Sequence, residues 1–355
     1  MRVDFNIENE RETFRLYSSL PTIKFLLARS AKVVLISHRG RPLKHGLIQT
    51  KHRLTQKNFS LKIVVPFLEK KLQRKVIFLP DFDFKKIENL IEHSPPRSVF
   101  LLENLRFLEG EKNNDLNLGK RLAGLGDFYV NDAFSVSHRK KASVTQLPKY
   151  LPACAGLLLE NEISNLDRIL KSGDRPLVII LGGAKASDKI GVIENFLPKA
   201  EAILLGGVVA NTFLKARGLN IGKSAFDAKS LKLAKKLLHS KKIILPVDFV
   251  SQNKSILDIG SLTEGLFEER LKSARTIFWN GPMGFFEQEK FARGSNAIAK
   301  FIVSGHAFSV IGGGETTQLI HQLKLEKKIG FLSTGGGAML EYLSGKKLPG
   351  IEALK

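Results

Sequence analysis

Short branched apolar runs ending in arginine or glycine turns recur along the chain, with helical stripes between them. The clearest is Leu177–Leu181, which reads as a buried strand. Gly182 and Gly183 break it, and from Ser187 the apolar positions Ile190, Ile193 and Phe196 follow a helical period. Further strands are predicted at 32–37, 75–78, 97–102 and 128–131, and again at 202–205, 242–246, 276–279, 308–311 and 330–333. Helices are predicted at 15–28, 61–72, 118–125, 157–170 and 230–239. Leu16, Leu20, Ile23 and Leu27 form the stripe of the first, with Pro21 read as the first turn of a helix starting near Leu20. This alternation predicts an α/β chain with a mostly parallel sheet in each half. Residues 157–170 are read as the helix connecting the halves.

The two halves differ at the ends of their strands, where open α/β sheets place ligands. In the first half, three strands run into turns holding His38, Arg39, Gly40 and Arg41, then Arg106, then His138 and Arg139. Asp4 and Asn6 alternate onto one side of the strand end at 2–6, with Arg15 following. One such arginine is an ordinary solvated charge. Three at equivalent strand ends suggest a basic bowl for a small, multiply charged anion, since the guanidinium fork matches carboxylate and phosphate oxygens. In the second half the turns are glycine-rich: Gly182-Gly183-Ala184-Lys185, Gly206-Gly207, Asn280-Gly281-Pro282-Met283-Gly284, Gly312-Gly313-Gly314-Glu315-Thr316 and Gly335-Gly336-Gly337. Strand, glycine turn and helix form a layout that aims free backbone N–H groups at an anion. Lys185 and Lys189, four apart, can both face it, although a solvated face beside a tight turn gives the same pattern.

At 355 residues the chain is sized for two domains. No stretch approaches the roughly 20 apolar residues of a membrane helix, and the first ten residues do not form an export signal. With a single cysteine, Cys154, read as a buried small hydrophobe, this makes a reducing cytoplasm the expected setting. The net charge of +22 draws anions in general, but the cations are interleaved with acids and form no basic tail. Residues 218–224 imitate a P-loop with the first glycine one residue too close to the second, and are set aside. There is no dinucleotide fingerprint, and the histidines lack zinc spacing. Trp279 is read as core or pocket wall.

RVDFN, LPTIKFLL, SHRGRP, LLENLRF, GDFYVNDAFSVSHR, LGGAKASDKIGVIENFL, WNGPMGFFE, IGGGETT and STGGGAMLEYLSGKKLPGIEAL, in this order, resemble phosphoglycerate kinase across essentially the whole chain. The resemblance implies two Rossmann-like three-layer αβα domains with mostly parallel sheets, joined by a hinge helix. It divides the chain into a phosphoglycerate-binding domain at 1–155, the hinge helix at 156–172, a nucleotide-binding domain at 173–334 and a segment at 335–355 returning to the first domain. It implies a monomer acting on 1,3-bisphosphoglycerate and ADP, or 3-phosphoglycerate and ATP, with Mg²⁺ and with no membrane partner. Substrate would be held by Asp4, Phe5, Asn6, Arg15, His38, Arg39, Gly40, Arg41, Arg106 and Arg139. Nucleotide would be held by Gly182, Gly183, Ala184, Lys185, Lys189, Gly206, Gly207, Asn280, Pro282, Gly284, Glu287, Gly313, Gly314, Glu315 and Thr316. Arg15, Lys185 and Lys189 would be catalytic, the amides of Gly335, Gly336 and Gly337 would serve the transferred group, and Glu315 the metal. Phosphoryl transfer rests on positioning and charge stabilisation, so no histidine–carboxylate pair is required.

Several positions depart from the family pattern. Glu315 replaces the family's aspartate, carrying the carboxylate about 1.5 Å further out, which puts the metal geometry in doubt because Mg²⁺ tolerates misplacement poorly. Arg39 replaces a leucine, Val208 and Val209 replace a glycine and a methionine, and 134–137 read Phe-Ser-Val-Ser for Phe-Gly-Thr-Ala. The lead-in strand before RVDFN is absent and the loop after Val250 is short. Glu315 and the charge motivate one rival, a non-catalytic protein that binds nucleic acid; the complete arginine and lysine set argues against it. A kinase for a different small acceptor is the second rival, and the intact substrate set argues against that too.

Overall fold

The computed structural model describes residues 1–9, 13–42, 58–172 and 174–355. They form two compact units, Met1–Asn161 with Lys347–Lys355, and Glu162–Lys346. The change of unit falls inside the helix Leu157–Asp167. The boundary expected at 172/173 adjoins residue 173, which lies outside the described residues.

In the first unit, strands β1 (Arg2–Val3), β2 (Val33–Leu35), β3 (Val76–Leu79), β4 (Val99–Leu102), β5 (Tyr129–Asp132) and β6 (Ala153–Ala155) are all parallel to their neighbours. They pair in the orders β2-β4-β3 and β1-β5-β6, and a parallel bridge between Arg2 and Ile36 links the two sets. One apolar cluster, with Val3, Phe5, Leu16, Ile23, Val33 and Leu68, covers one part of this sheet. A second, with Phe84, Phe100, Leu102, Leu118 and Leu147, covers another and receives Leu354 from the end of the chain. The returning segment is fixed by Gly350, whose N–H donates to the Ser137 carbonyl at 2.7 Å and whose carbonyl accepts from Asn131 at 3.2 Å.

Two expectations fail here. Pro21 does not open a helix: Phe14–Ala28 is one helix with Pro21 inside it. A proline inside a helix costs about 3 kcal/mol, but Leu16, Leu20, Ile23 and Leu27 lie on both sides of it and are all buried, so burial along the whole stripe decides the outcome. Cys154 is exposed rather than buried, because β6 is the outer strand of its set.

The second unit is built on six parallel strands in the order β14-β13-β12-β7-β8-β9. These are β7 (Leu177–Leu181), β8 (Ala202–Leu205), β9 (Ile243–Ile244), β12 (Thr276–Asn280), β13 (Phe308–Gly312) and β14 (Phe331–Ser333). Every residue of β7 is fully buried, as its unbroken apolar run requires of a central parallel strand. Trp279, Phe267, Ile298 and Leu319 pack beside it in the unit's large core. An antiparallel hairpin, β10 (Phe249–Gln252) with β11 (Ser255–Ile259), stands apart from this sheet.

Candidate active site

In the first unit the strand ends surround a cavity of about 480 Å³. His38, Arg41, Arg106 and Arg139 line it together, as expected. Arg106 is pushed down to about 10, first by burial and then by the like charges of Arg139, Arg2 and Arg41. Cations crowded this closely suit a multiply charged anion.

Arg2 and Glu111 also line the cavity, and the strand and helix patterns gave neither a role. Arg2 is 2% exposed and has no carboxylate in salt-bridge contact among the described residues. Its Nε donates to Ser143 Oγ at 3.1 Å and its Nη2 contacts His38 Nδ1 at 2.9 Å. Ser143 Oγ in turn donates to Glu111 Oε1 at 2.7 Å. Burial, then Arg2, hold the His38 pKa well below its ordinary value. The imidazole is therefore neutral. A guanidinium only donates, so Nδ1 accepts and Nε2 carries the proton as a donor. Lys112, Lys140 and Lys141 add further positive charge at the rim.

Asp4, Asn6 and Arg15 form a constellation of their own. Asp4 Oδ2 accepts from Arg15 Nη1 at 2.8 Å. Asn6 Oδ1 accepts from the Gly40 amide at 2.7 Å, and the Gly40 carbonyl accepts from Arg106. Burial favours the protonated form of Asp4, but Arg15 and hydrogen bonds from Ser135 and Asn6 outweigh it and hold the pKa below the usual carboxylate value.

Two of the expected substrate ligands are engaged elsewhere. Phe5 is completely buried in the core. Arg39 is 8% exposed and donates to the carbonyls of Ile7, Glu8 and Asn58 at 2.9, 2.7 and 2.6 Å, so its guanidinium ties loops together.

The glycine turns of the second unit differ from the expectation of free amides. Gly182 N–H donates to Asn280 O at 3.0 Å and Gly183 N–H to Pro282 O at 2.8 Å. Gly206 and Gly207 donate to Leu181 O and Met283 O at 2.9 and 2.8 Å. These glycines weld the ends of β7, β8 and β12 together: a Cβ on Gly207 would lie 2.7 Å from the Gly183 nitrogen. Asn280 is 3% exposed and donates to Gly312 O at 2.7 Å, while Thr316, fully buried, accepts from the Gly281 amide at 2.7 Å. Gly284 lies so close to Asp258 that a Cβ would approach Oδ1 to 2.3 Å.

The donors left open lie slightly further along. The amides of Ala184 and Lys185 make no hydrogen bond among the described residues. The helix Gly314–Gln322 begins with orphan amides after Gly313. Lys189 stands in the first turn of Ser187–Phe196, 7% exposed, with a pKa lowered first by burial and then supported by Glu315 and Asp188. Lys185, Glu287 and Glu315 are exposed, and Glu315 Oε2 lies 3.1 Å from where a Gly183 Cβ would stand. Gly335 N–H is taken by Ser333 Oγ at 3.0 Å, leaving Gly336 and Gly337 at the start of the next helix. Behind that turn Glu162 is fully buried and accepts from Thr334 N, Thr334 Oγ1 and Ser333 Oγ at 2.6, 2.7 and 2.7 Å. Its role came without a sequence signal.

The P-loop imitation at 218–224 has no open cradle: Gly222 N–H donates to Asn220 Oδ1 at 2.9 Å and Lys223 N–H to Lys254 O at 2.7 Å. Among the described residues no group of three or more His, Cys, Asp or Glu could hold a metal. The single Glu315 carboxylate fits Mg²⁺ only in the form that takes its other ligands from phosphate and water.

The family model of Phosphoglycerate kinase matches residues 1–346. A phosphoglycerate kinase of Finegoldia magna is 41% identical over 385 aligned residues, covering 100% of this chain and 95% of that protein. One from Koribacter versatilis is 42% identical over 386, with 100% and 95% coverage. The solved phosphoglycerate kinase of Coxiella burnetii superposes with a TM-score of 0.84 at 35% identity, covering 99% of this chain and 94% of that one. With the arginine-lined cavity in one unit and the lysine–glycine turn in the other, these likenesses establish that the chain belongs to the phosphoglycerate kinase family.

Proposed function

We infer that the chain catalyses reversible transfer of the acyl phosphate of 1,3-bisphosphoglycerate to ADP, giving 3-phosphoglycerate and ATP. The observation that carries this reading is the cavity in the first unit, where His38, Arg41, Arg106 and Arg139 converge with one carboxylate, Glu111, among them. A small acid bearing several negative charges relieves the repulsion that, after burial, depresses Arg106. General polyanion binding does not call for such a convergence.

In this reading Arg41, Arg106 and Arg139 grip the phosphate and carboxylate of the acid, and His38 donates through Nε2. Arg15 has Nη1 on Asp4, and its Nε and Nη2 make no hydrogen bond among the described residues, so both can donate to a phosphoryl oxygen. In the second unit Lys185, Lys189 and the amides of Ala184 and of the turn at Gly313–Gly314 hold the nucleotide phosphates. Glu287 takes the ribose hydroxyls, and Gly206 and Gly207 line the pocket for the base. The amides of Gly336 and Gly337 serve the group in transit. The attacking ADP oxygen is already an anion, so no general base is needed; the work is alignment and charge neutralisation. Mg²⁺, held through Glu315, would supply further neutralisation of the phosphates when bound.

The functional division follows residues 1–155 for the acid, 156–172 for the hinge, 173–334 for the nucleotide and 335–355 for the return. In this reading the enzyme acts as a monomer. No helix among the described residues is long and apolar enough to cross a membrane, and a cytoplasmic enzyme fits this reading.

The test is a coupled assay of ATP formation with and without Mg²⁺. Lys185→Ala should lower turnover by about 10²–10³, the range for losing one donor to a developing charge. Glu315→Asp should retain or raise turnover. A purified, folded protein without Mg²⁺-dependent turnover would refute the assignment.

A further inference from the structure

One oxygen in the first unit serves two donors. Asp4 Oδ2 accepts from Arg15 Nη1 at 2.8 Å and also from the hydroxyl of Ser135. The other oxygen, Oδ1, accepts from the Asn6 amide at 3.1 Å. Asp4 is nearly enclosed, with a side chain 5% exposed against 35% for Arg15. The carboxylate is thus a fixed post, and the guanidinium is a partly solvated group tied to it by one corner.

Ser135 sits in the short turn Phe134–Val136 just after β5, so the sheet itself delivers its hydroxyl to Asp4. A carboxylate oxygen offers two lone-pair sites. With the hydroxyl on one of them, part of the charge on Oδ2 is spent on a neutral donor, and the pull on Arg15 is reduced accordingly. Remove the hydroxyl, and Arg15 becomes the only side-chain donor on that oxygen. The guanidinium is then held harder in its resting position, and less of its binding energy is available to a phosphate.

We propose that Ser135 is a positioning residue: its hydroxyl shares Asp4 Oδ2 with Arg15 and so sets how readily Arg15 turns from Asp4 to the phosphoryl oxygens. This rests on the reading of Arg15 as a phosphate ligand. Ser135 touches no reacting atom in this scheme and acts through Asp4 and Arg15.

The test is a double-mutant cycle read in kcat and KM. Ser135→Ala should lower kcat by about 3–10-fold, the size of one ordinary hydrogen bond because the hydroxyl acts only through Asp4, while KM for phosphoglycerate changes by less than about twofold. Ser135→Thr should return most of the rate. In an Arg15→Ala background, measured at high enzyme concentration, Ser135→Ala should have no further effect, because the residue through which it acts is gone. Urea midpoints of the variants separate this from a loss of folding. Wild-type kcat in Ser135→Ala, the same loss with and without Arg15, or no recovery with threonine would each overturn the proposal. If Arg15→Ala itself turns over normally, the reading of Arg15 fails first; if only Arg15→Ala is impaired, Ser135 alone has been misread.

Discussion

Replacing Arg2 with methionine should cost far less stability than its contacts suggest, yet change the behaviour of His38. Arg2 donates to Ser143 Oγ, Val3 O, Ile36 O and Ser37 Oγ and contacts His38 Nδ1. Five charge-assisted bonds at about 1.5–3 kcal/mol each sum to roughly 8–15 kcal/mol. That sum ignores what the partners keep. Val3 O still accepts from Ser37 Oγ at 2.8 Å, and Ile36 O from Val3 N at 3.1 Å. Ser37 Oγ still accepts from Phe5 N at 2.9 Å, and Ser143 Oγ still donates to Glu111 at 2.7 Å. Only His38 Nδ1 is stranded, at about 1–3 kcal/mol, while the burial cost of an unpaired guanidinium disappears and methionine fills the space. The expected loss for Arg2→Met is therefore about 1–3 kcal/mol by urea denaturation followed in the far-UV. The His38 pKa, read by proton NMR, should rise because a neighbouring positive charge is gone. It should remain below the ordinary 6.5, because burial is the larger cause and persists. A loss above about 5 kcal/mol would show that the bonds do sum, and an unmoved His38 would refute the electrostatic account.

Three other outcomes follow from the second unit. Gly281→Ala should abolish its cooperative folding or cost more than about 3 kcal/mol: φ is +91° and the new Cβ would lie 2.2 Å from the Gly182 carbonyl oxygen, which is checked by urea titration. Asp258 is raised to about 6, mainly by burial, so carboxyl ¹³C NMR should find its midpoint there. The folded state then holds a proton that the unfolded state has released, so this group's contribution to stability falls as pH rises from about 4 to about 6 and is largest below that window. The chain's single tryptophan, Trp279, is fully buried and donates to Gly281 O at 2.8 Å, so its emission should follow unfolding of the second unit alone.

The strands were legible because their signal is local. Leu177–Leu181 is apolar at every position, and no other element accommodates that run between a loop and two glycines. The arginines at strand ends were legible for the same reason, since a parallel sheet brings like ends together. Arg2, Glu111 and Ser143 gave no such signal. Glu111 lies in a five-residue helix and Ser143 in a single π-helical turn, and Arg2 meets Ser143 across 141 positions of sequence. Which glycine amides remain open was equally hidden, because the carbonyls that consume them belong to Asn280 and Pro282, about a hundred residues away. Arg39 illustrates the limit from the other side: its residue type suits phosphate, but nearby carbonyls occupy it.

The return of residues 347–355 to the first unit has a consequence for biosynthesis. Asn131 and Ser137 cannot meet Gly350 until the ribosome has translated the intervening Glu162–Lys346. At about 5–20 residues per second, that wait is roughly 10–40 s. Throughout this interval the first unit, although begun earlier, still lacks its last piece. Until then a chaperone guarding exposed apolar surface would find it on the half that was started earlier.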